Sequence, residues 1–197
     1  EEELVFPPYN ALQLQDILRE RAQAAFKENI LNEGTIAKCA AYAAREHGDA
    51  RRALDLLRVA GEIAEREGSK RITLEHIDQA NNKIERDKML DIIESEPKQF
   101  QLVLFSIMAI ENEKRNKDGI FTGEVYNSYQ EICTKTKNEA LTQRRVSDIL
   151  AEFDMLGIIN THVISKGRHG RMREIKLMLA PNIKQRAKEM LEKAIYS

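Results

Sequence analysis

Apolar residues recur every three or four positions through the first half of the chain, which is the spacing of helices that bury one face. Asp49 and Thr73 stand where two of these segments begin and are residue types that cap helix N-termini, and Gly68 follows the segment between them. Four such segments with short links predict a small helical bundle. The predicted inward faces comprise Leu14, Ile17, Leu18, Ala22 and Ala25; Ile36, Ala40, Ala43 and Ala44; Ala53, Leu56, Leu57, Ala60, Ile63 and Ala64; and Leu74, Ile77, Ala80 and Ile84.

The second half has a different order of elements. Three helical patterns are followed by two strand-like segments with alternating apolar residues and by a last helix after Pro181. The predicted segments are a helix over 98–114, a polar loop Glu111–Gly119, a helix near 123–136, a helix from Thr142 to about Leu156, and strands Ile158–Ser165 and Met172–Leu179. We therefore predict a mainly α chain, in which a small helical bundle precedes a winged-helix domain with a two-stranded β-hairpin wing.

Pro97 is the predicted boundary between these halves, because proline ends the helical pattern that precedes it. Residues 1–97 hold 14 Lys/Arg and 20 Asp/Glu, a net charge of -6. Residues 98–197 hold 17 and 12, a net charge of +5, and the whole chain has -1. The near-neutral total thus excludes no class of partner, and two domains with different partners are expected, 1–97 and 98–197.

Composition argues against several classes of protein. No apolar run approaches the roughly 18–20 residues of a membrane-spanning helix, and the acidic start at Glu1 is unlike a signal peptide. Cys39 and Cys133 lie far apart without a Cys/His cluster, which argues against a disulfide framework or a zinc site. We therefore expect a cytoplasmic protein without a membrane partner. A start at Glu1 instead of Met is expected of a piece of a longer protein.

The helix predicted from Thr142 has an outward face suited to a DNA major groove. Short side chains let a helix approach the base edges, and an arginine near the helix start can bind guanine with two hydrogen bonds. A solvent-exposed surface with ordinary charges fits this helix equally well. The inward set is Val146, Ile149, Leu150, Phe153 and Leu156, and the outward set is Arg144, Ser147, Asp148 and Ala151, with Arg145 on the flank.

The segment that joins the two predicted strands strengthens the DNA interpretation. Residues 166–173 carry four cations, one histidine and no acid, with two glycines that permit positive φ. An arginine on a two-stranded wing can enter a minor groove, where the negative potential is concentrated, and flanking cations can contact phosphates. A hairpin without a ligand, or a winged helix that binds protein, is the alternative. The predicted DNA-contacting residues are Thr142, Gln143, Arg144, Arg145, Ser147, Lys166, Gly167, Arg168, His169, Gly170, Arg171 and Arg173.

Residues 48–58 have the sequence Gly-Asp-Ala-Arg-Arg-Ala-Leu-Asp-Leu-Leu-Arg. Asp49 caps the predicted helix and places Arg51 in its first turn, where the helix N-terminus and a guanidinium both favour phosphate. An ordinary surface arginine beside a cap is the alternative interpretation.

Residues 48–58 resemble the sensor-2 motif of AAA+ ATPases, in the form used by archaeal replication initiators of the origin-recognition-complex and cell-division-control-protein-six type. The similarity continues through residues 60–65 and 72–77, and residues 6–18 resemble the segment that enters the family's lid domain. The order of lid and winged helix also fits, so the resemblance covers nearly the whole chain.

This resemblance implies a role for each motif. Arg51 would be the sensor-2 arginine, on a helix over about 49–67, and would reach the γ-phosphate of ATP held by a neighbouring ATPase domain; Arg52 is the less favoured candidate. The helix from Thr142 would be the recognition helix, and residues 166–173 the wing that clamps double-stranded origin DNA. Family members mark origins and help to load the ring-shaped replicative helicase, which implies a nucleoid-associated location.

The chain departs from the family in lacking a nucleotide-binding base. No Gly-x-x-x-x-Gly-Lys-[Ser/Thr] motif occurs, and none of the nine glycines precedes Lys-Ser or Lys-Thr. The four histidines show no metal-ligand or catalytic spacing. We therefore expect no catalytic residue, no metal site and no cofactor in this fragment, with ATP and magnesium belonging to the intact family protein.

Three other functions remain open at this point. A branch-migration helicase motor also places a winged helix after an AAA+ lid, although its sensor-2 sequence differs. The winged helix could instead be a protein-interaction module that docks a helicase or a clamp. A plain transcription regulator is a further alternative, but it leaves the first 97 residues unexplained.

Overall fold

The computed structural model describes residues 5–114, 119–165 and 171–196. It divides into two compact units, a first unit Glu1–Asp87 and a second unit Lys88–Ser197. The described helices are α1 (Ala11–Ala25), α2 (Thr35–Arg45), α3 (Ala50–Arg66), α4 (Leu74–Ser95), α5 (Lys98–Lys114), α6 (Thr122–Lys135), α7 (Gln143–Met155) and α8 (Pro181–Tyr196), and the strands are β1 (Ile120–Phe121), β2 (Ile159–Ser165) and β3 (Arg171–Leu177). The predicted mainly α class is confirmed.

The first unit is the predicted helical bundle. Asp49 caps α3 by accepting a hydrogen bond of 2.8 Å from the backbone N–H of Arg51. Ala25 and Leu74 were predicted to face inward, but both are exposed because each is the terminal residue of its helix. The buried core comprises Leu14, Leu18, Ala22, Cys39, Ala40, Ala43, Ala53, Leu56, Leu57, Val59, Ala60, Ile63, Ala64, Ile72, Ile77 and Ala80.

The second unit is built around α5, which is apolar on nearly every side and contacts α6, α7 and α8. Phe100 of α5 packs edge-to-face against Phe153 of α7, with ring centroids 5.9 Å apart. This packing fixes α7 on the core while its opposite face stays in solvent. The helix order and the following hairpin match the predicted winged helix.

The sheet has three antiparallel strands in the order β1-β3-β2, instead of the two strands predicted. Ile175 of β3 pairs with Ile120 of β1 on one side and with Thr161 of β2 on the other. The strand β1 has only two residues, which is too short for an alternating pattern to predict. The hairpin of β2 and β3 is the predicted wing.

The division between the units lies inside α4, whereas the sequence predicted a boundary at Pro97. The helix ends at Ser95, as proline requires, but Ile93 in its last turns is buried in the core of the second unit. Pro97 therefore marks the end of a helix and not the limit of the packing. At the structural division the two units carry net charges of -4 and +3, so the predicted change of sign holds.

Each unit buries one free cysteine, Cys39 in the first core and Cys133 in the second. Burial raises the pKa of Cys39 to about 12 and also raises the pKa of Cys133. His76 is buried as well, and its ring nitrogens contact the backbone N–H of Thr73 at 2.9 Å and a Glu67 carboxylate oxygen at 3.1 Å. Its burial and these two contacts give His76 a structural role.

Candidate nucleic-acid interface

The face of α7 that packs on the core is the predicted one. Val146, Ile149 and Leu150 are fully buried, and Phe153 is 1% exposed. Leu156 was also predicted to point inward, but it is 40% exposed because it is the C-cap residue that follows the last turn. On the opposite face Arg144, Asp148 and Ala151 are exposed, and Ser147 is partly buried.

The exposed face carries Arg144 near the helix start. Among the described residues, no side chain forms a hydrogen bond or ion pair with its guanidinium, so all its donors face solvent. Arg145 lies 3.8 Å from Asp148, and both side chains are about half exposed, which makes this a weak ion pair. Both arginines are thus available to a ligand.

Two other predicted contact residues use their hydroxyl groups within the helix. The Thr142 hydroxyl accepts a hydrogen bond of 3.4 Å from the backbone N–H of Arg145, as an N-cap does. The Ser147 hydroxyl donates to the backbone carbonyl of Gln143 at 3.0 Å. Thr142, Gln143 and Ser147 therefore shape the start of α7, where the Gln143 side chain stays exposed.

The predicted wing is described only in part. Lys166, Gly167, Arg168, His169 and Gly170 lie outside the described residues. The backbone of Arg171 pairs with that of Ser165, and its side chain is also outside the described part.

Arg173 is the one predicted wing cation whose side chain is described, and it is half-buried. Arg173, Ile175 and Leu177 occupy every second position of β3, so Arg173 lies on the same face of the sheet as the two residues buried in the core. Its register partner Val163 lies on β2 beyond Thr161, whose side chain contacts α7. Arg173 is therefore on the side of the wing that faces α7.

Asp154 joins the end of α7 to the wing. Its carboxylate accepts one hydrogen bond of 3.1 Å from the backbone N–H of Thr161 and another of 2.9 Å from the Thr161 hydroxyl. Gly157 makes the turn between them with φ of 70°, a conformation that favours glycine. The recognition-helix candidate and the wing are thus held together as one surface.

The turn that leads into α7 is held by three side chains that the sequence analysis missed. Leu141 donates its backbone N–H to the Tyr129 hydroxyl at 2.9 Å and accepts a hydrogen bond from the Tyr126 hydroxyl at 3.3 Å. Gln99 donates its amide to the backbone carbonyl of Glu139 at 3.0 Å. Two tyrosines three positions apart on the helix before a polar loop were the only signal in the sequence.

Tyr129 is fully buried, and burial raises its pKa to about 12. The hydroxyl therefore keeps its proton through the physiological range. It donates a hydrogen bond to the side-chain oxygen of Gln99 and accepts one from the backbone N–H of Leu141.

The start of α3 is the second candidate site. Gly48 has φ of 66°, and a Cβ there would lie 2.4 Å from the carbonyl oxygen of Tyr9, so the entering segment can cross here only over glycine. Asp49 caps the helix, and Arg51 follows with an exposed side chain. No hydrogen bond or ion pair of its guanidinium occurs within the described ranges.

Arg52 is held in place by a network of acidic and amide groups. Its side chain is 11% exposed, and its Nη2 donates to Glu85 at 2.5 Å and to Asn81 at 2.9 Å. Its Nη2 also donates to Glu46 Oε1 at 3.3 Å, and its Nε lies 3.1 Å from the other Glu46 oxygen without an aligned hydrogen bond. Arg52 therefore stabilises the fold, whereas Arg51 has no partner in the part of the chain that the structure describes.

Neither site has the composition of a metal centre. Across residues 5–114, 119–165 and 171–196, no three His, Cys, Asp or Glu side chains come together in a group that could hold a metal ion. The same stretches contain no helix with the length and apolar character needed to cross a membrane.

Two family models match the chain. Residues 15–82 match the Cdc6 AAA+ ATPase-type lid domain, and residues 91–187 match the CDC6 C-terminal winged helix domain. The two matches follow the order of the two units and include both candidate sites.

Curated relatives and a solved structure agree with these matches. The chain is 52% identical over 177 residues to ORC1-type DNA replication protein 1 of Methanosarcina mazei and 55% identical over 182 residues to the ORC1-type DNA replication protein of Pyrococcus abyssi. These alignments cover 90% and 92% of the chain but 43% of each relative, so the chain spans less than half of their length. The structure of the Aeropyrum pernix ORC1 protein in complex with DNA matches 99% of the chain and 50% of that protein, with a TM-score of 0.78 and 47% identity. Through its lid and its winged helix, the chain belongs to the Cdc6 family.

Proposed function

We propose that this chain is the lid and winged-helix part of an ORC1/Cdc6-type DNA replication initiator and that it binds double-stranded origin DNA. The face of α7 would enter the major groove, and the wing would contact the adjacent minor groove. Such a protein would act on the nucleoid in the cytoplasm.

The observation that carries this proposal is the exposed Arg144, which has no partner in the described parts of the chain, on a helix that the core holds by its opposite face. A guanidinium without an internal partner loses no ion pair when it binds a base or a phosphate. Arg173 on the α7 side of the wing adds a second cation to the same surface. The relative from Aeropyrum pernix, whose structure is in complex with DNA, supports this assignment.

Titration of the chain with a duplex at two salt concentrations tests the proposal. Each neutralised phosphate releases counterions, so the logarithm of the binding constant should fall with the logarithm of the salt concentration by about 0.9 for each phosphate contacted. Arg144→Glu should weaken binding strongly because the reversed charge repels the backbone. No binding at low salt, or binding that is independent of salt, would contradict the proposal.

We further propose that Arg51 is the arginine that senses ATP bound by an ATPase domain outside this chain. Its exposure and the absence of a partner for it among residues 5–114, 119–165 and 171–196 support this role, and the ion pairs of Arg52 argue against the alternative. For ATP, the chain itself offers the guanidinium of Arg51 but no phosphate-binding loop. It should therefore neither hydrolyse ATP nor bind it tightly alone. ATP and magnesium would belong to the longer protein.

A chimera in which the preceding portion of the Pyrococcus abyssi relative is joined to this chain tests the role of Arg51. Arg51→Ala should reduce ATP turnover with little change in the thermal unfolding of the chain. Arg52→Ala, by contrast, should act mainly by lowering the unfolding temperature. Unchanged turnover in the Arg51 variant would exclude it as the sensor.

The winged helix could instead dock a protein such as the ring-shaped helicase, and the Lys166–Arg173 segment would then be incidental to DNA. Charge reversal at Arg168 and Arg171 separates the two functions. Loss of duplex binding supports the DNA role, and unchanged duplex affinity supports the protein-docking role.

A further inference from the structure

The path of the chain into α7 sets where Arg144 stands. Residues 136–142 connect α6 to α7 without regular secondary structure, and Arg144 follows the N-cap Thr142 by two positions. A displacement of this turn would carry the arginine with it. The contacts that hold the turn therefore decide how well Arg144 is aimed.

The contacts come from two helices that are themselves fixed in the core. Tyr129 of α6 accepts the backbone N–H of Leu141 at 2.9 Å and donates to the side-chain oxygen of Gln99 in the first turn of α5. The amide nitrogen of Gln99 in turn donates to the carbonyl of Glu139 at 3.0 Å. Tyr129 and Gln99 thus each form a hydrogen bond with the backbone of the turn, and they form a third hydrogen bond with each other.

The hydrogen-bonding groups of Tyr129 and Gln99 are fixed in this arrangement. The Tyr129 side chain is fully buried, so a water molecule cannot readily replace its hydroxyl as the acceptor for Leu141. Both polar ends of the Gln99 amide are engaged, which fixes its orientation.

We propose that Tyr129 and Gln99 are positioning residues for DNA recognition: by clamping the turn before α7, they hold Arg144 in the geometry that distinguishes one base sequence from another. The inference rests on the proposed DNA-binding function. It concerns sequence discrimination, because contacts to bases require accurate placement, whereas contacts to phosphates tolerate small shifts.

The experiment compares two duplexes of equal length and composition. One is selected from a random library by the wild-type chain, and the other is its scrambled counterpart. The dissociation constants of both duplexes are measured for the wild-type chain and for Tyr129→Phe, which removes the hydroxyl and keeps the ring. Tyr196→Phe is the matched control, because Tyr196 is exposed in the last helix and far along the chain from the turn.

For Tyr129→Phe we expect the ratio of the two dissociation constants to fall by about fivefold or more, which corresponds to the loss of one well-placed base contact. Affinity for the scrambled duplex should stay within about twofold, since phosphate contacts persist. Tyr196→Phe should change neither value. Gln99→Glu, which keeps the acceptor for Tyr129 and loses the donor to Glu139, should show an intermediate ratio; because Gln99 lies at the edge of the core, this variant provides the test if Tyr129→Phe does not fold.

Four outcomes would overturn the inference. An unchanged ratio in both variants shows that the clamp does not aim Arg144, and equal losses on both duplexes show a general structural defect. A wild-type chain that binds duplexes without discriminating among them overturns the inference and leaves the proposed function standing. A wild-type chain that binds no duplex overturns both.

Discussion

Helices α3 and α7 begin with closely similar sequences, but the two units use them differently. Each helix has a capping residue, one intervening residue and then two arginines: Arg51 and Arg52 in the lid, Arg144 and Arg145 in the winged helix. The first arginine of each pair is exposed and without an internal partner among the described residues. The second is held by two acidic side chains in the lid and is only loosely paired in the winged helix.

The difference follows from the charges around the two helices. The lid, with a net charge of -4, supplies Glu46 and Glu85 to hold Arg52. In the described part of the winged helix, a unit with a net charge of +3, Arg145 has only Asp148 as a partner, at 3.8 Å. A pair of adjacent arginines therefore does not by itself indicate a binding site, and the acids within reach decide which guanidinium remains for a ligand.

Loss of the support beneath α7 should have the largest effect. Phe153→Ala removes a ring that is 1% exposed and should lower the free energy of unfolding of the winged helix by about 3–5 kcal/mol. Met155→Ala on the same helix is the control, because Met155 is 88% exposed. Urea denaturation followed by circular dichroism measures both. Equal stability of the two variants would show that α7 does not depend on this packing.

Substitution of Arg144 or Arg51 by alanine compares the two sites directly. Arg144→Ala should weaken duplex binding by about 1–3 kcal/mol, whereas Arg51→Ala should leave duplex affinity unchanged. Neither should change the free energy of unfolding by more than about 0.5 kcal/mol, since neither guanidinium has a partner among the described side chains. Fluorescence anisotropy with a labelled duplex measures the first effect. A loss of affinity in Arg51→Ala would place the lid in the DNA interface.

The second arginines should differ in stability. Arg52→Ala should destabilise the lid by about 1–2 kcal/mol, less than a fully buried ion pair would, because Glu46 and Glu85 are 37% and 45% exposed. Arg145→Ala should cost less than about 0.5 kcal/mol. Thermal unfolding measures both, and similar values would remove the distinction between a structural and an available arginine.

The smallest effect is expected from the loss of one carboxylate in the lid, and this effect depends on pH. Hydrogen bonds from Lys38 at 2.6 Å and from Tyr42 at 2.7 Å lower the pKa of Asp78 in the lid. A carboxylate with a lowered pKa stabilises the folded state above its unfolded-state pKa and loses that contribution as the pH falls through its folded value. Asp78→Asn should therefore destabilise the lid at pH 7 by less than about 1 kcal/mol, since Asp78 is 44% exposed. The difference from the wild type should shrink below a pH of about 4, and a constant difference would assign the effect to something other than charge.

The sequence predicted those features that depend on neighbours a few positions apart. Apart from Leu156, the inward face of α7, the start of this helix near Thr142 and the outward position of Arg144 all follow from helical spacing within one segment. The hairpin followed from the alternation that includes Ile175 and Leu177.

Features that join distant parts of the chain could not be predicted in this way. Arg52 finds Asn81 and Glu85 on another helix, and Tyr129 finds Gln99 across the interior of the winged helix. Helical spacing gave Arg52 no partner and gave Tyr129 only a buried position. The division inside α4 was hidden for a related reason, because an unbroken helix carries no local mark where its packing partners change.

The single cysteine buried in each unit allows the opening of the two units to be timed separately. A thiol is modified only when it is exposed, and burial raises the pKa of both Cys39 and Cys133, so the closed state should be inert to reagents that attack thiolates. The rate at which each cysteine is labelled without denaturant, resolved by mass spectrometry of its peptide, then reports how often its own unit opens. Each unit thus contains its own probe of opening. A ligand that slows the labelling of only one cysteine binds the unit that contains that cysteine.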